Sequence, residues 1–163
     1  NYWNQVVILN TWQQDRIYKI VLEKLFGTVN GKNIAILGFS FKANTNDTRE
    51  SPAIKIASDL LEEGALLSIY DPKVSFERIQ EDFEKISFNN QMTWKMAKSI
   101  PDALKDVDAV LILTAWEEFF GLDWKYLASL MRSPAWVFDT RSVVNRQETD
   151  NTGLNLWKLG EGS

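Results

Sequence analysis

The sequence of 163 residues predicts an α/β fold: a doubly wound, mostly parallel sheet of about five or six strands, preceded by a long helix. Two patterns carry this prediction. Runs such as Ile34-Ala35-Ile36-Leu37 and Ala109-Val110-Leu111-Ile112-Leu113 are apolar at every position, as strands covered by helices on both faces must be. Between such runs lie segments whose apolar residues recur at helical spacing, and strands alternating with helices build parallel sheets from βαβ units. Right-handed crossovers then place the carboxyl end of every strand on one edge of the sheet.

Residues 2–26 contain no Gly or Pro and carry Trp3, Val6, Val7, Ile17, Ile20, Val21 and Leu25 at helical spacing. Tyr2, Leu9, Trp12, Tyr18 and Leu22 widen the apolar surface beyond one core-facing stripe. That width suits a helix that docks on a second protein surface as well as one packed only on its own domain. Residues 33–39 read as the first strand. Ser51 caps the following helix with Pro52 at its first position, where the missing amide donor is not needed. Ala53, Ala57, Leu60 and Leu61 form that helix's buried stripe, and Gly64 ends it. Leu66-Leu67-Ser68-Ile69-Tyr70 is the second strand, stopped by Asp71-Pro72.

The stretch 75–96 is the least periodic: a charged helix over 76–83, a polar turn at Asn89-Asn90-Gln91 and a short strand at Met92-Thr93-Trp94. A short helix over 99–104 then precedes a strand over 109–114. Asp123 caps a helix over 126–131, which leads to the strand 135–139, the loop Thr140-Arg141-Ser142 and a last strand over 154–159.

Composition narrows the chemistry. The net charge of −4, with acidic and basic residues intermixed, gives no basic face for nucleic acid. There is no Cys, which excludes disulfides, thiolate metal sites and a Cys nucleophile within this chain. There is no His either, which removes Ser-His-Asp catalysis and the commonest zinc ligand. No apolar run approaches the ~20 residues of a membrane span. Without a secretion-signal pattern at its amino end, the chain is expected to be soluble and cytoplasmic. It begins inside a helical pattern without Met, as a piece of a longer protein would.

The most informative stretch is Gly38-Phe39-Ser40-Phe41-Lys42-Ala43-Asn44-Thr45-Asn46-Asp47-Thr48-Arg49-Glu50-Ser51-Pro52, at the carboxyl end of the first strand. Open α/β sheets bind ligands at that edge. Two cations, two aromatics and several small hydrogen-bonding residues suit a phosphorylated ligand. The stretch is not a dinucleotide fingerprint, since Phe39 and Phe41 stand where backbone would have to be bare, and no Gly-Lys-Ser/Thr marks a P-loop. The cations Lys42 and Arg49 would have to meet the phosphate, and Lys42, Asp71, Thr114 and Arg141 are expected to converge from distant parts of the chain.

Gly38-Phe-Ser-Phe-Lys42 followed by Asn46-Asp-Thr-Arg-Glu-Ser-Pro-Ala-Ile54 resembles the signature of the carboxyl-terminal domain of nucleotide-sugar dehydrogenases. Tyr70-Asp-Pro-Lys-Val74, Thr114-Ala-Trp-Glu-Glu-Phe119 and Phe138-Asp-Thr-Arg141 follow in the order the resemblance implies, and the wording Asp47-Thr-Arg-Glu-Ser51 with Tyr70-Asp-Pro-Lys-Val74 leans towards the UDP-glucose branch. In that family a Rossmann domain binds NAD, a long dimer-forming helix follows it, and a Rossmann-like carboxyl-terminal domain holds the UDP part of the substrate. A catalytic Cys of the family forms a thioester during the two-step oxidation of the sugar's C6 alcohol. Neither that Cys nor a Gly-rich NAD loop occurs here, so this chain resembles the substrate-binding part. The resemblance implies that residues 1–27 are the carboxyl part of the connecting helix and 28–163 the UDP-sugar-binding domain.

Carried over position by position, Phe41, Lys42 and Arg141 match contacts to the UDP-sugar, and Arg49 matches a contact to NAD held mainly by the absent amino-terminal domain. The resemblance also implies a homo-oligomer formed through the amino-terminal helix. It assigns no catalytic and no metal-binding residue to this chain. Thr140 departs from the family's usual Gly, and Ala115 from a frequent acidic residue. For Arg49 a salt bridge to Asp47 or Glu50 competes with the cofactor role. Asp71 occupies the place of the ribose-binding acid of dinucleotide folds, yet before Pro72 it reads as a turn residue. Phe39 reads as core, and Trp116, Trp136 and Trp157 are most simply core or interface. A free-standing nucleotide-sugar module and a protein-interaction domain remain as alternative readings.

Overall fold

The strand Asn33–Leu37 (β1) lies mid-sheet because both of its faces are apolar: Ile34 and Ile36 are buried on one side, Ala35 and Leu37 on the other. The computed structural model describes residues 11–86 and 93–160. In it β1 pairs with Leu66–Tyr70 (β2) and with Ala109–Ile112 (β4). Trp94–Met96 (β3) extends the sheet beyond β2, and Trp136–Asp139 (β5) and Asn155–Lys158 (β6) extend it beyond β4. All pairings are parallel, and the order of the six strands is β3-β2-β1-β4-β5-β6.

Helices Thr11–Lys24 (α1), Pro52–Glu62 (α2) and Phe76–Ile86 (α3) bury their apolar residues with Ile34 and Ile36. Ile100–Leu104 (α4) and Trp124–Leu130 (α5) bury theirs with Ala35 and Leu37. The chain thus winds outward from β1 to β3 over one face, returns to the other side of β1, and winds outward again over the opposite face. The strand order therefore reverses between β1 and β4, and the carboxyl edge at such a switch point is where these sheets bind ligands.

Several boundaries differ from the sequence expectation. The first strand ends at Leu37, not residue 39, because Gly38 at φ 96° breaks the extended backbone. The strand expected over 109–114 ends at Ile112. The edge strand, expected to end at residue 94, continues to Met96 and is anchored by the Trp94 ring, which stacks on Phe76 and meets Phe83 edge-on; its expected start at residue 92 lies outside the described residues. The turn expected at 89–91 lies outside the described residues. The helix expected over 76–83 continues to Ile86 on an exposed last turn, supported by a hydrogen bond from Gln80 to Glu84. α5 starts at Trp124, since the Asp123 cap holds the amide of Tyr126 and Trp124 is buried.

Of the expected amino-terminal helix, the part before residue 11 lies outside the described residues. Ile17, Val21 and Leu25 are buried in the core against α2, and Lys55 of α2 bridges Asp15 of α1 at 3.4 Å and Asp59 at 3.1 Å. Trp12 remains 69% exposed on the outer side. Trp116 and Trp157 are buried, whereas Trp136 is half-buried, stacked on Phe138 beneath the Lys24 ammonium.

Candidate functional site

The site begins with Gly38. A Cβ there would lie 2.5 Å from Thr114 Cβ and 2.8 Å from the Thr114 amide nitrogen, so only glycine lets the turn after β1 lie against the turn after β4. That contact is fixed by the Thr114 hydroxyl, which donates to the Ser40 carbonyl at 2.9 Å. Ser51 caps α2 by accepting from the Ala53 amide and donates its own hydroxyl to the Phe39 carbonyl at 2.8 Å. The loop closes on itself where the Phe41 amide donates to the Asp47 carbonyl at 2.8 Å. Phe39 is buried, its ring edge-on to Phe83 at 5.7 Å. From α3, Arg78 donates to the buried Thr48 hydroxyl at 2.9 Å.

Two buried carboxylates organise the remaining loops. At the end of β5, Asp139 accepts from the amides of Arg141, Val143 and Val144 at 2.8–3.1 Å, and Lys158 lies 4.0 Å away. At the end of β2, Asp71 accepts from Lys73 and Val74 through one oxygen, which makes it the turn residue expected before Pro72. Its other oxygen reaches the amides of Phe39 and Ser40 and the Trp116 indole. Both oxygens are therefore filled by N–H donors, leaving no free acceptor for a ribose hydroxyl.

Lys42, Asp71, Thr114 and Arg141 all stand at the carboxyl edge, in the turns that follow β1, β2, β4 and β5. The ends of β1 and β5 are separated by β4, hence by about 10 Å. Phe41 is half-buried and Lys42 exposed, and Lys42 carries no ion pair among the described residues. Arg141 is only partly exposed, and its guanidinium likewise has no hydrogen bond or ion pair among the described residues. Burial lowers its pKa, while the charge of Asp139 pulls weakly the other way. A partly desolvated cation that no hydrogen bond or ion pair engages is poised for an anionic ligand. Thr140, expected to depart from a glycine, is not among the residues at positive φ and donates its hydroxyl to the Ile112 carbonyl at 2.7 Å, so the backbone before Arg141 needs no glycine here.

Arg49 is placed differently. It is 80% exposed and forms a two-pronged pair with Asp47, Nε to Oδ1 at 3.0 Å and Nη2 to Oδ2 at 2.9 Å. The pair holds the Asp47 carboxyl down at about 2. Arg49 lines a cleft of about 760 Å³ with Asp47, Lys73, Glu77 and Arg78. Phe41, Lys42 and Arg141 are not among that cleft's lining residues.

Sequence reasoning missed the reach of Asp71 and the loop-gathering role of Asp139. Acidic residues at strand ends could have signalled both. It also missed the Arg78–Thr48 link, for which the sequence carries no signal.

Residues 35–146 match the sequence profile of the "UDP-glucose/GDP-mannose dehydrogenase family, UDP binding domain". The chain is 40% identical over 166 residues to UDP-glucose 6-dehydrogenase of Drosophila melanogaster, covering 98% of this chain and 35% of that protein. It is 38% identical to UDP-glucose 6-dehydrogenase 4 of Oryza sativa subsp. japonica, covering 99% of this chain and 36% of that one. The chain thus spans about a third of the length of the curated relatives it matches. Among solved structures, a UDP-glucose dehydrogenase from Pyrobaculum islandicum superposes with a TM-score of 0.64 at 28% identity, covering 89% of this chain and 29% of that chain. An NDP-N-acetyl-D-galactosaminuronic acid dehydrogenase from Methanosarcina mazei Go1 shares the fold, with a TM-score of 0.74 at 18% identity over 93% of this chain and 30% of that chain.

Proposed function

Because the chain belongs to the UDP-glucose/GDP-mannose dehydrogenase family as its UDP-binding domain, we propose that it holds the UDP portion of UDP-glucose at the carboxyl edge of its sheet. Lys42 and Arg141 meet the diphosphate from opposite sides of β4, and Phe41 packs against the nucleotide. The observation that carries this reading is Arg141, a partly buried cation at the end of β5 without an anion partner among the described residues.

In this reading the chain supplies substrate binding to an NAD-dependent oxidation of the sugar's C6 alcohol, and the remainder of a longer protein supplies the thiol and the NAD cradle. NAD, when bound there, accepts the hydride. The residues present do not form such a cradle themselves: the turn after β1 carries Phe39 and Phe41, and Asp71 has no free acceptor. In the same reading Arg49, which lines the cleft with Lys73 and Arg78, reaches a cofactor held elsewhere. Residues 1–27 act as the end of a connecting helix and 28–163 as the binding unit, with exposed Trp12 on a face that pairs two copies.

Calorimetric titration with UDP-glucose, UDP, UMP and GDP-mannose tests the proposal. UDP and UDP-glucose should bind, UMP at least tenfold more weakly for want of the second phosphate, and GDP-mannose more weakly than UDP-glucose. Absence of binding by UDP and UDP-glucose, or equal affinity for all four, would overturn it.

A further inference from the structure

We propose that Asp71 is a positioning residue for nucleotide recognition, and that it aligns Phe41 and Lys42 without touching the ligand. The inference rests on the reading of the carboxyl edge as the nucleotide site. Asp71 is 4% exposed and joins three loops. Its Oδ2 accepts from the Phe39 amide at 2.7 Å, the Ser40 amide at 3.0 Å and the Trp116 indole at 3.3 Å. Its Oδ1 accepts from the Lys73 and Val74 amides at 2.8 and 3.0 Å.

The consequence lies in how the loop backbone is gripped. On the carbonyl side, Ser51 holds Phe39 and Thr114 holds Ser40. On the amide side, the same two residues are held by Asp71 alone among the described residues. Two consecutive residues are thereby held at both amide and carbonyl, and Phe41 and Lys42 leave this clamped segment one and two residues later. A buried donor left without an acceptor is costly, so loss of the carboxylate would release the segment.

Charge and position make opposite predictions for Asp71→Asn. Removing a negative charge near an anion site should strengthen binding of a diphosphate, whereas loosening the loop should weaken it. In the Asp71→Asn chain, UDP affinity is expected to fall about tenfold. Hydrogen exchange at the Phe39 and Ser40 amides should accelerate at least tenfold, with the amides of β4 and β5 unchanged. A merely structural role would lower the melting temperature and leave the affinity of the folded protein as it was. If the wild-type chain binds UDP and folded Asp71→Asn binds it equally well or better, the inference fails while the nucleotide site stands. If the wild-type chain does not bind UDP, both fail. Should the variant not fold, exchange in the unliganded wild type decides: protection of Phe39 and Ser40 comparable to that of Ile36 supports a loop set in advance, and protection that appears only with UDP overturns it.

Discussion

Replacing Arg141 by Gln deletes a charge while keeping much of the side chain's bulk, and it separates binding from folding. The guanidinium has no partner among the described residues, and the nearest carboxylate, Asp139, already accepts from three loop amides. Burial depresses the Arg141 pKa, which means that the free fold disfavours the cation it holds. Deleting that charge should leave the denaturation midpoint where it is or raise it slightly. Loss of a charge-assisted bond costs about 1.5–3 kcal/mol, so UDP should bind about ten- to a hundredfold more weakly. Calorimetry and urea unfolding on the same preparations read both quantities, and added salt should weaken the wild type more than the variant. Wild-type affinity in Arg141→Gln, or a stability loss above about 1 kcal/mol, would refute the reasoning, the latter by revealing a structural partner.

Lys42→Ala should also weaken UDP binding about tenfold, and the double variant with Arg141→Gln should lose less than the sum of the two, because both cations meet one diphosphate; strict additivity in the titrations would argue against a shared partner. Gly38→Ala should destabilise the fold by about 2–5 kcal/mol in urea unfolding, since positive φ and the clash with Thr114 act together; unchanged stability would contradict the close approach. Tyr70 is pushed up to about 12, first by burial and then by its hydrogen bond to Glu118, against about 10 for an unfolded tyrosine. Its contribution is therefore complete below pH ~10 and lost as pH rises through ~12, so alkaline unfolding should be shallower in Tyr70→Phe, with Tyr18, also near 12, supplying the remaining slope.

The central strands were legible because burial on both faces leaves an unbroken apolar run, as in Ile34–Leu37 of β1 and Ala109–Ile112 of β4. The loop after β1 announced itself by composition. Its internal wiring did not, because Asp71 acts on residues more than thirty positions away, and sequence spacing holds no trace of such a contact. Trp94 illustrates the same limit. Its strand runs on to Met96, past the end that the local pattern indicates, since stacking on Phe76 and an edge-on contact with Phe83, both from another element, hold the Trp94 ring. Of the two competing roles for Arg49, the ion pair with Asp47 is formed in the fold.

The packing of α1 on α2 makes a lever of the amino-terminal helix. Ile17, Val21 and Leu25 are embedded beside Ile56 and Leu60, and the Lys55–Asp15 bridge resists sliding between the two helices. α2 begins at Ser51, whose hydroxyl grips the Phe39 carbonyl at the base of the loop bearing Phe41 and Lys42. A rotation of α1 would therefore be delivered, through one stiff helix, to the backbone from which those two side chains project.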